Sequence, residues 1–218
     1  MRILLKLVRY LLVLLLAVIA YDTVFPPVST LMAARYITGQ VVDRQWVPLS
    51  RISPSLVRAA IAAEDGKFCR HHGVDWPAMQ GAVARAVDPD AEGAHGASTI
   101  TMQTAKNLFL WHDRSYLRKA MELPLAMGID LIWSKRRIME AYLNIAEFGP
   151  GIFGAEAAAR HYFGISAAGL SPQQAVMLAA TLPSPKRRDP RAPSGYMQDY
   201  AGNIRARMAM GVYAACVK

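Results

Sequence analysis

The sequence is poor in cysteine, and the two cysteines that it has lie far apart. Cys69 and Cys216 show no metal-ligand spacing, which excludes a zinc ribbon and a scaffold held by several disulfides. Isolated thiols of this kind favour two free cysteines. Glycine and proline follow no period, so a collagen-like structure is excluded, and the chain has no internal repeat or low-complexity tract.

Charged residues are scarce as well, at 19% of the chain against 53% hydrophobic residues, which excludes a disordered protein. With 218 residues the chain can bury a sizeable core without disulfides. Acidic residues are outnumbered, with 16 Asp and Glu against 25 Lys and Arg, and the net charge is +9. Such an excess favours an anionic partner, which could be nucleic acid, anionic lipid or a phosphorylated substrate.

One long apolar stretch lies near the N-terminus, from Leu4 to Phe25. Its length is close to the ~20 residues that cross a bilayer as a helix, so we expect a single-pass anchor in the inner (plasma) membrane. The cations Arg2, Lys6 and Arg9 indicate a cytoplasmic N-terminus and a periplasmic domain. The alternative is a signal peptide that is cleaved near Ala20. Both interpretations export the domain, which argues against a nucleic-acid partner.

The remainder of the sequence is typical of a mostly α domain. Caps and apolar periodicity predict helices over Pro54–Glu64, Trp76–Val87, Thr99–Phe109 (capped by Ser98), Ser115–Trp133 (bent at Pro124), Lys135–Ala146, Ala155–Phe163, Pro172–Leu182 and Met197–Ala214. A short strand or hairpin is expected in Tyr36–Val47, and the polar stretch Asp88–Ala97 is expected to be a loop. Gly149, Gly151 and Gly154 indicate a turn.

We therefore expect four segments. Residues 1–27 form a cytoplasmic stub and transmembrane anchor, and residues 28–50 form a linker in which short strands could occur. Residues 51–195 form the main domain, and residues 196–218 form a C-terminal helix.

The first candidate site is the acidic pair Glu64-Asp65, at the end of an apolar helix. The negative pole of the helix and nearby apolar walls both favour the protonated carboxyl, which raises its pKa. A carboxylate tuned in this way suits general acid or base catalysis near neutral pH. The alternative is an acid pair that ends the helix and is exposed to water.

The second candidate site covers Ser98 to Asn107. On a helix, Thr99, Gln103 and Lys106 share one face. The free amides at the start of that helix and the Lys106 amine could hold a phosphate or a sugar oxygen. The alternative is a solvated polar face.

The third candidate site contains three cations, Arg114, Arg118 and Lys119, and one carboxylate, Glu122. Spacing of four residues lets Arg114, Arg118 and Glu122 point the same way, and a salt-bridged surface helix would explain that pattern. That alternative explains less well why four cations, with Lys106, gather around one carboxylate. Such a group suits an anionic leaving group such as pyrophosphate.

The fourth segment, Lys135 to Gly154, is mostly scaffold. Ile138, Ala141, Tyr142 and Ile145 form an apolar stripe, so we expect that face in the core. Lys135 and Glu140 are the side chains of this segment that could reach the site.

These four segments, in this order, resemble the motifs of the peptidoglycan glycosyltransferase family (glycosyltransferase family 51), in the short form of the monofunctional biosynthetic peptidoglycan transglycosylases. The resemblance covers about Val41 to Arg191, and its most specific lines are EDGKFCRHHGVD, GASTITMQTAKN, RKAMELPLA and KRRIMEAYLNIAEFGPGIFGAEAAARHYFG. One departure is Met102, where the family usually has the first of two adjacent glutamines; Gln103 keeps the second.

The resemblance implies a lysozyme-like α fold with a small membrane-proximal lobe. It implies polymerisation of lipid II, an undecaprenyl-pyrophosphoryl disaccharide-pentapeptide, into glycan strands with inversion. By motif position, Glu64 corresponds to the general base, and Glu122 to the second carboxylate near the pyrophosphate. Lys106, Arg114, Arg118 and Lys119 correspond to the diphosphate-binding cations. A divalent cation (Mg or Mn) often assists, although the sequence shows no dedicated site, and the expected surroundings are the bilayer and cell-wall synthesis and division proteins.

The resemblance also suggests where the domain meets the bilayer. Apolar residues after the third motif, from Leu123 to Trp133, exceed what one helix face needs, and part of that surface could lie in the membrane interface. The alternative is that they are core.

Two other functions remain open at this point. A lysozyme-like enzyme or lytic transglycosylase would also use a carboxylate such as Glu64, but it would not need the cations from Lys106 to Lys119. A non-catalytic membrane-anchored binding module would not need Glu64. Peptide cross-linking is not expected, because no Ser-x-x-Lys motif occurs.

Overall fold

The computed structural model describes residues 2–87, 97–111, 113, 115–212 and 214–218. As the sequence predicted, the fold is mostly α. The helices are α1 (Arg2–Tyr21), α2 (Thr30–Ile37), α3 (Pro54–Glu64), α4 (Trp76–Val87), α5 (Ile100–Phe109), α6 (Tyr116–Ile132), α7 (Lys135–Ile145), α8 (Ala155–Phe163), α9 (Pro172–Thr181) and α10 (Gly195–Ala209). Most of the predicted loop Asp88–Ala97 lies outside the described residues.

The helix ends follow from local chemistry. Ser53 caps α3 ahead of a proline at its first position, and Ser171 and Gln174 form a reciprocal capping box at the start of α9. Gly164, with φ of +69°, ends α8 in the left-handed conformation. One predicted cap was wrong. Thr99, not Ser98, caps α5, because the Thr99 hydroxyl accepts from the Met102 amide, and the helix therefore begins at Ile100.

The core lies between two groups of helices. Helix α3 packs against α9 and α10, and α5 packs against α6 and α7. The predicted apolar stripe of α7 is confirmed: Ile138, Ala141, Tyr142 and Ile145 are all fully buried. The C-terminal end of α3 lies against one face of α5, where Glu64 and Gln103 form a hydrogen bond.

The short strand predicted in Tyr36–Val47 is confirmed, whereas the alternative of a local hairpin was wrong. Tyr36 belongs to α2, and the strand β1 (Asp43–Arg44) pairs with distant residues. The partners come from the glycine-containing segment after α7, which forms β2 (Glu147–Gly149) and β3 (Ile152–Phe153). The strand order is β1-β3-β2, with β1 parallel and β2 antiparallel to β3. Such short strands carry too little periodicity to predict a long-range pairing.

The last helix begins and ends earlier than expected. The sequence predicted Met197–Ala214, whereas α10 runs Gly195–Ala209, because the Ser194 hydroxyl accepts from the Met197 amide and caps it two residues earlier. After α10 the backbone turns at Gly211, with φ of +93°, and ends in a 3₁₀ turn, Ala215–Val217.

The N-terminal segment differs from its prediction. Helix α1 carries Arg2, Lys6 and Arg9 in its first half, so its apolar part is shorter than the Leu4–Phe25 stretch that suggested an anchor. Within the described part of the chain, every helix is too short or too polar to cross a membrane. Helix α1 contacts α6, and Trp133 Nε1 donates to the Ile19 carbonyl oxygen at 2.8 Å.

The expectation of two free cysteines was wrong. Cys69 and Cys216 form a disulfide, with their Cα atoms 5.6 Å apart. The bond joins the segment after Glu64 to the C-terminal 3₁₀ turn. Local sequence gave no signal for it, because only the folded chain brings the two residues together.

Candidate active site

The site is built around the carboxylate of Glu64 at the C-terminal end of α3. Gln103 Nε2, on α5, donates to Glu64 Oε2 at 2.7 Å. The Tyr142 hydroxyl, on α7, donates to Gln103 Oε1 at 3.2 Å and fixes the orientation of the amide. Three helices therefore hold the carboxylate in one position.

Burial raises the pKa of Glu64 above its ordinary value of 4.5 and outweighs the opposing effects of the Gln103 hydrogen bond and the charges of Lys106 and Arg188. The second oxygen of this carboxylate, Oε1, is inaccessible and has no hydrogen-bond partner among the described residues. An unpaired buried acceptor is costly, and because the Glu64 side chain lines a cavity, a ligand hydroxyl bound there would supply a hydrogen bond that this carboxylate lacks.

Asp65 has a different environment, although it adjoins Glu64. Its Oδ2 accepts from the Ile100 amide at 3.0 Å, and both of its oxygens lie 3.0 Å from His71 Nε2. The side chain is nearly fully buried. Asp65 therefore joins the end of α3 to the start of α5.

Thr99 fixes the loop that follows Glu64. Besides capping α5, its hydroxyl donates to the Gly73 carbonyl oxygen at 2.6 Å. Gly73 has φ of +78°, and a Cβ there would lie 2.7 Å from the Ala126 carbonyl oxygen of α6. Only glycine fits this approach, so the loop is held tightly between α5 and α6.

Glu122 is the second buried carboxylate, and it is paired on both oxygens. Arg118 Nη1 bonds to Oε1, and Lys119 Nζ bonds to Oε2 at 2.8 Å. Lys119 also donates to the Ser98 hydroxyl at 3.1 Å. Because Ser98 lines the cavity that contains Glu64, Lys119 and its partner Glu122 lie next to that cavity.

Lys106 lies between the two carboxylates. Burial lowers the pKa of its amine below the ordinary value of 10.5, Arg118 and Lys119 add to this effect, and Glu122 and Glu64 oppose it. Its amine makes no hydrogen bond or ion pair with the residues that the structure describes. A partly buried cation without a partner is well placed to bind an anion.

These groups line a continuous groove. Glu64 and Gln103 face a cavity of about 780 Å³, and Gln103 and Lys106 face a second cavity of about 220 Å³. A third cavity, of about 300 Å³, continues past Glu64 toward Thr99. Gln103 and Pro183 line both of the first two cavities.

The remaining predicted residues are placed differently. Arg114 lies outside the described residues, and α6 begins after it, at Tyr116. Asn107 lines the cavity that contains Lys106. Lys135 pairs with Asp130 at 2.6 Å and lies over the Phe68 ring, and Glu140 bonds to Arg137 and to the Leu49 amide; neither lines the groove.

A metal site is not formed by protein groups alone in the described part of the chain, where no cluster of three or more His, Cys, Asp or Glu could hold an ion. The nearest carboxylates are already occupied, Asp65 by His71 and Glu122 by two cations. The donor set therefore does not fit a dedicated divalent-cation cage.

Comparison with known proteins gives the family. A model of the transglycosylase family matches residues 31–209. The chain belongs to this transglycosylase family. Its relatives include proteins named biosynthetic peptidoglycan transglycosylase from Agrobacterium fabrum (56% identical, covering 88% of this chain and 84% of the relative), Rhodospirillum centenum (51%, 91% and 87%) and Brucella suis (54%, 88% and 85%).

Sequence reasoning missed one wall of the transglycosylase groove. Helix α10 contributes Tyr196, Asp199, Tyr200, Asn203 and Arg207 to the cavity that contains Glu64. Tyr200 and Arg207 also donate to the Ala63 and Ala62 carbonyl oxygens, which are free because α3 ends there. The sequence gave no reason to connect Tyr196 or its neighbours with Glu64, because α10 lies far from Glu64 along the chain.

Proposed function

We propose that this transglycosylase polymerises lipid II into glycan strands, inverts the anomeric carbon and releases undecaprenyl pyrophosphate. The observation that carries the proposal is the pairing of one buried, incompletely bonded carboxylate, Glu64, with one uncommitted cation, Lys106, in connected cavities. Membership of the transglycosylase family and similarity to biosynthetic peptidoglycan transglycosylases support the synthesis of glycan strands.

The proton transfer is assigned to Glu64. The Glu64 carboxylate, which lines the cavity and is oriented by Gln103, removes the proton from the 4-hydroxyl of the acceptor sugar. The hydroxyl oxygen then attacks the anomeric carbon of the donor, and the bond from that carbon to the pyrophosphate oxygen breaks. A single displacement of this kind inverts the centre.

The leaving group is assigned to the cations. Lys106 receives the pyrophosphate charge, and Arg118 and Lys119, which Glu122 holds in place, lie around it. A divalent cation, Mg or Mn, would enter with the pyrophosphate rather than occupy a protein cage, and no step here depends on it.

A glycan-cleaving enzyme is the competing proposal. It would need the carboxylate but not the unpaired Lys106 amine, because a sugar leaving group carries no pyrophosphate. Incubation of the purified protein with labelled lipid II and a divalent cation distinguishes the two. Polymer on a gel supports the transferase, whereas shortening of preformed glycan without any polymer supports the hydrolase or lyase.

We also propose that the enzyme works at the outer face of the inner membrane. Exposed large apolar side chains concentrate on α1, α2 and α6, where Leu131 is 86% and Tyr116 is 97% exposed. This surface is suited to the lobe that contacts lipid in a lysozyme-like fold of this family. Trp133 is not part of it, since it is only 3% exposed and packs against α1. Proteins of wall synthesis and division are the expected partners there.

A further inference from the structure

A fourth cavity, of about 410 Å³, extends the groove beyond Lys106. It shares Pro185 with the cavity that contains Lys106, and its floor is formed by the segment that follows α9. Lys186, Arg187, Arg188 and Arg191 line it, against one carboxylate, Asp189. The cavity is therefore strongly cationic, although the proposed chemistry does not use it.

The four cations differ in what they already contact. Arg191 pairs with Asp189 at 2.8 Å. Arg188 donates to the Ala180 carbonyl oxygen at 2.7 Å, and its guanidinium lies over two tyrosine rings of α10. Lys186 and Arg187 are exposed, and their side chains make no hydrogen bond, ion pair or ring contact with the residues that the structure describes. Two cationic groups are thus free to bind a ligand.

We infer that this basic cavity binds the carboxylates of the peptide carried by the sugar substrate. The inference rests on the proposed function, in which the substrate is a disaccharide with a pentapeptide. Such a peptide ends in a carboxylate, and arginine and lysine bind carboxylates through charge-assisted hydrogen bonds. The shared Pro185 places this site one step along the groove from Lys106, where a group attached to the bound sugar would reach.

A membrane headgroup is the other anion that a basic surface could meet, and the surroundings argue against it. No large apolar side chain is exposed between Ile132 and Gly195, a stretch that the structure describes throughout. A lipid-facing surface combines cations with exposed apolar groups. Most of the exposed apolar side chains lie on α1, α2 and α6, and the exposed aromatic residue beside this cavity, Tyr196, already stacks with Arg188.

The test compares two substrates on two proteins. The substrates are lipid-linked disaccharide-pentapeptides whose peptide carboxylates are either free or converted to amides, and the proteins are the wild type and K186A/R187A. On the wild type, amidation should raise KM about threefold to tenfold, as expected for one or two exposed ion pairs. K186A/R187A should show the higher KM on both substrates. The control R51A/R58A, which removes two exposed cations outside the groove, should behave as the wild type.

A second measurement does not depend on turnover. Binding of a fluorescent soluble disaccharide-pentapeptide, followed by anisotropy, should be weaker for the amide form and for K186A/R187A. If both proteins discriminate equally between acid and amide, the inference is wrong. It is also wrong if K186A/R187A loses only binding to phosphatidylglycerol vesicles. Absence of polymer with any substrate would refute the proposed function alone, since the binding measurement still tests the peptide site.

Discussion

At the scale of single residues, two neighbouring carboxylates in this chain differ in their hydrogen bonding and in their roles. Glu64 and Asp65 are adjacent carboxylates, but one has an unpaired oxygen in a groove and the other has every oxygen occupied. The sequence predicted the position of Glu64 and the rise of its pKa from the end of an apolar helix. It could not separate the two roles, because the partners of Asp65, at Ile100 and His71, are set by tertiary packing.

Glu64→Gln should abolish polymer formation from lipid II. The amide cannot accept the proton, yet it has nearly the same shape. Because burial raises the pKa of Glu64, ionisation of this group costs stability as the pH rises above about 4.5, so the variant should unfold at an equal or higher temperature at pH 7. Gel assays and thermal unfolding check both parts.

Asp65→Asn is the matched control. It should lower the unfolding temperature, because the buried Ile100 amide and His71 lose a charged acceptor. If Glu64→Gln makes polymer at the wild-type rate, Glu64 is not the general base.

Lys106→Ala should lower kcat/KM by about 10²–10³-fold, because it removes a cation at the developing pyrophosphate charge. The pH profile gives a sharper test. Activity needs Glu64 deprotonated and Lys106 protonated, so it should fall at low pH through the raised pKa of Glu64 and at high pH through the lowered pKa of Lys106. Lys106→Arg should retain activity and move the high-pH limb upward. An unchanged limb would contradict the assignment.

Arg114→Ala, the corresponding change at the residue that lies outside the described part of the chain, is expected to cost a similar factor if Arg114 binds the diphosphate. Steady-state rates on lipid II measure it. A rate equal to that of the wild type would favour a solvated arginine.

At the scale of elements, most helices could be predicted and the contacts between distant segments could not. The bounds of α3, α4 and α8 were predicted correctly, because each has a strong local start or end signal. The strands β1 and β3 are too short to show a pattern, and α2 lay in a segment that was expected to be a linker. The wall contributed by α10 was missed for the same reason, since its contacts with α3 are made across more than half of the chain.

The disulfide joins two such distant elements, the loop after α3 and the turn after α10. Replacing both cysteines, as C69S/C216S, should lower the free energy of unfolding by about 2–5 kcal/mol, mainly because the unfolded chain gains freedom. Urea unfolding measures the change. A reducing agent should lower the stability of the wild type toward that of the variant and leave the variant unchanged; equal stability of all samples would show that the bond contributes nothing.

At the scale of the whole molecule, the exposed apolar residues and the groove define how the protein could sit on a bilayer. Leu131→Glu should weaken binding of the protein to liposomes, because it puts a charge on the exposed apolar surface of α6, in the last turn of that helix. Met210→Glu is the matched control, since Met210 is 80% exposed but follows α10 and is not part of α6. Sedimentation with vesicles measures both. Equal binding of the two variants would show that α6 does not contact lipid.

The position of Gln103, which lines two cavities, has a consequence for inhibitor design. Since Gln103 and Pro183 lie where the 780 Å³ and 220 Å³ cavities meet, two small fragments can occupy the cavities independently, but a single compound that fills both must pass the Gln103 amide or displace it. Displacement would free Glu64 Oε2 and the Tyr142 hydroxyl together, so the linker of such a compound needs a donor and an acceptor of its own at that point.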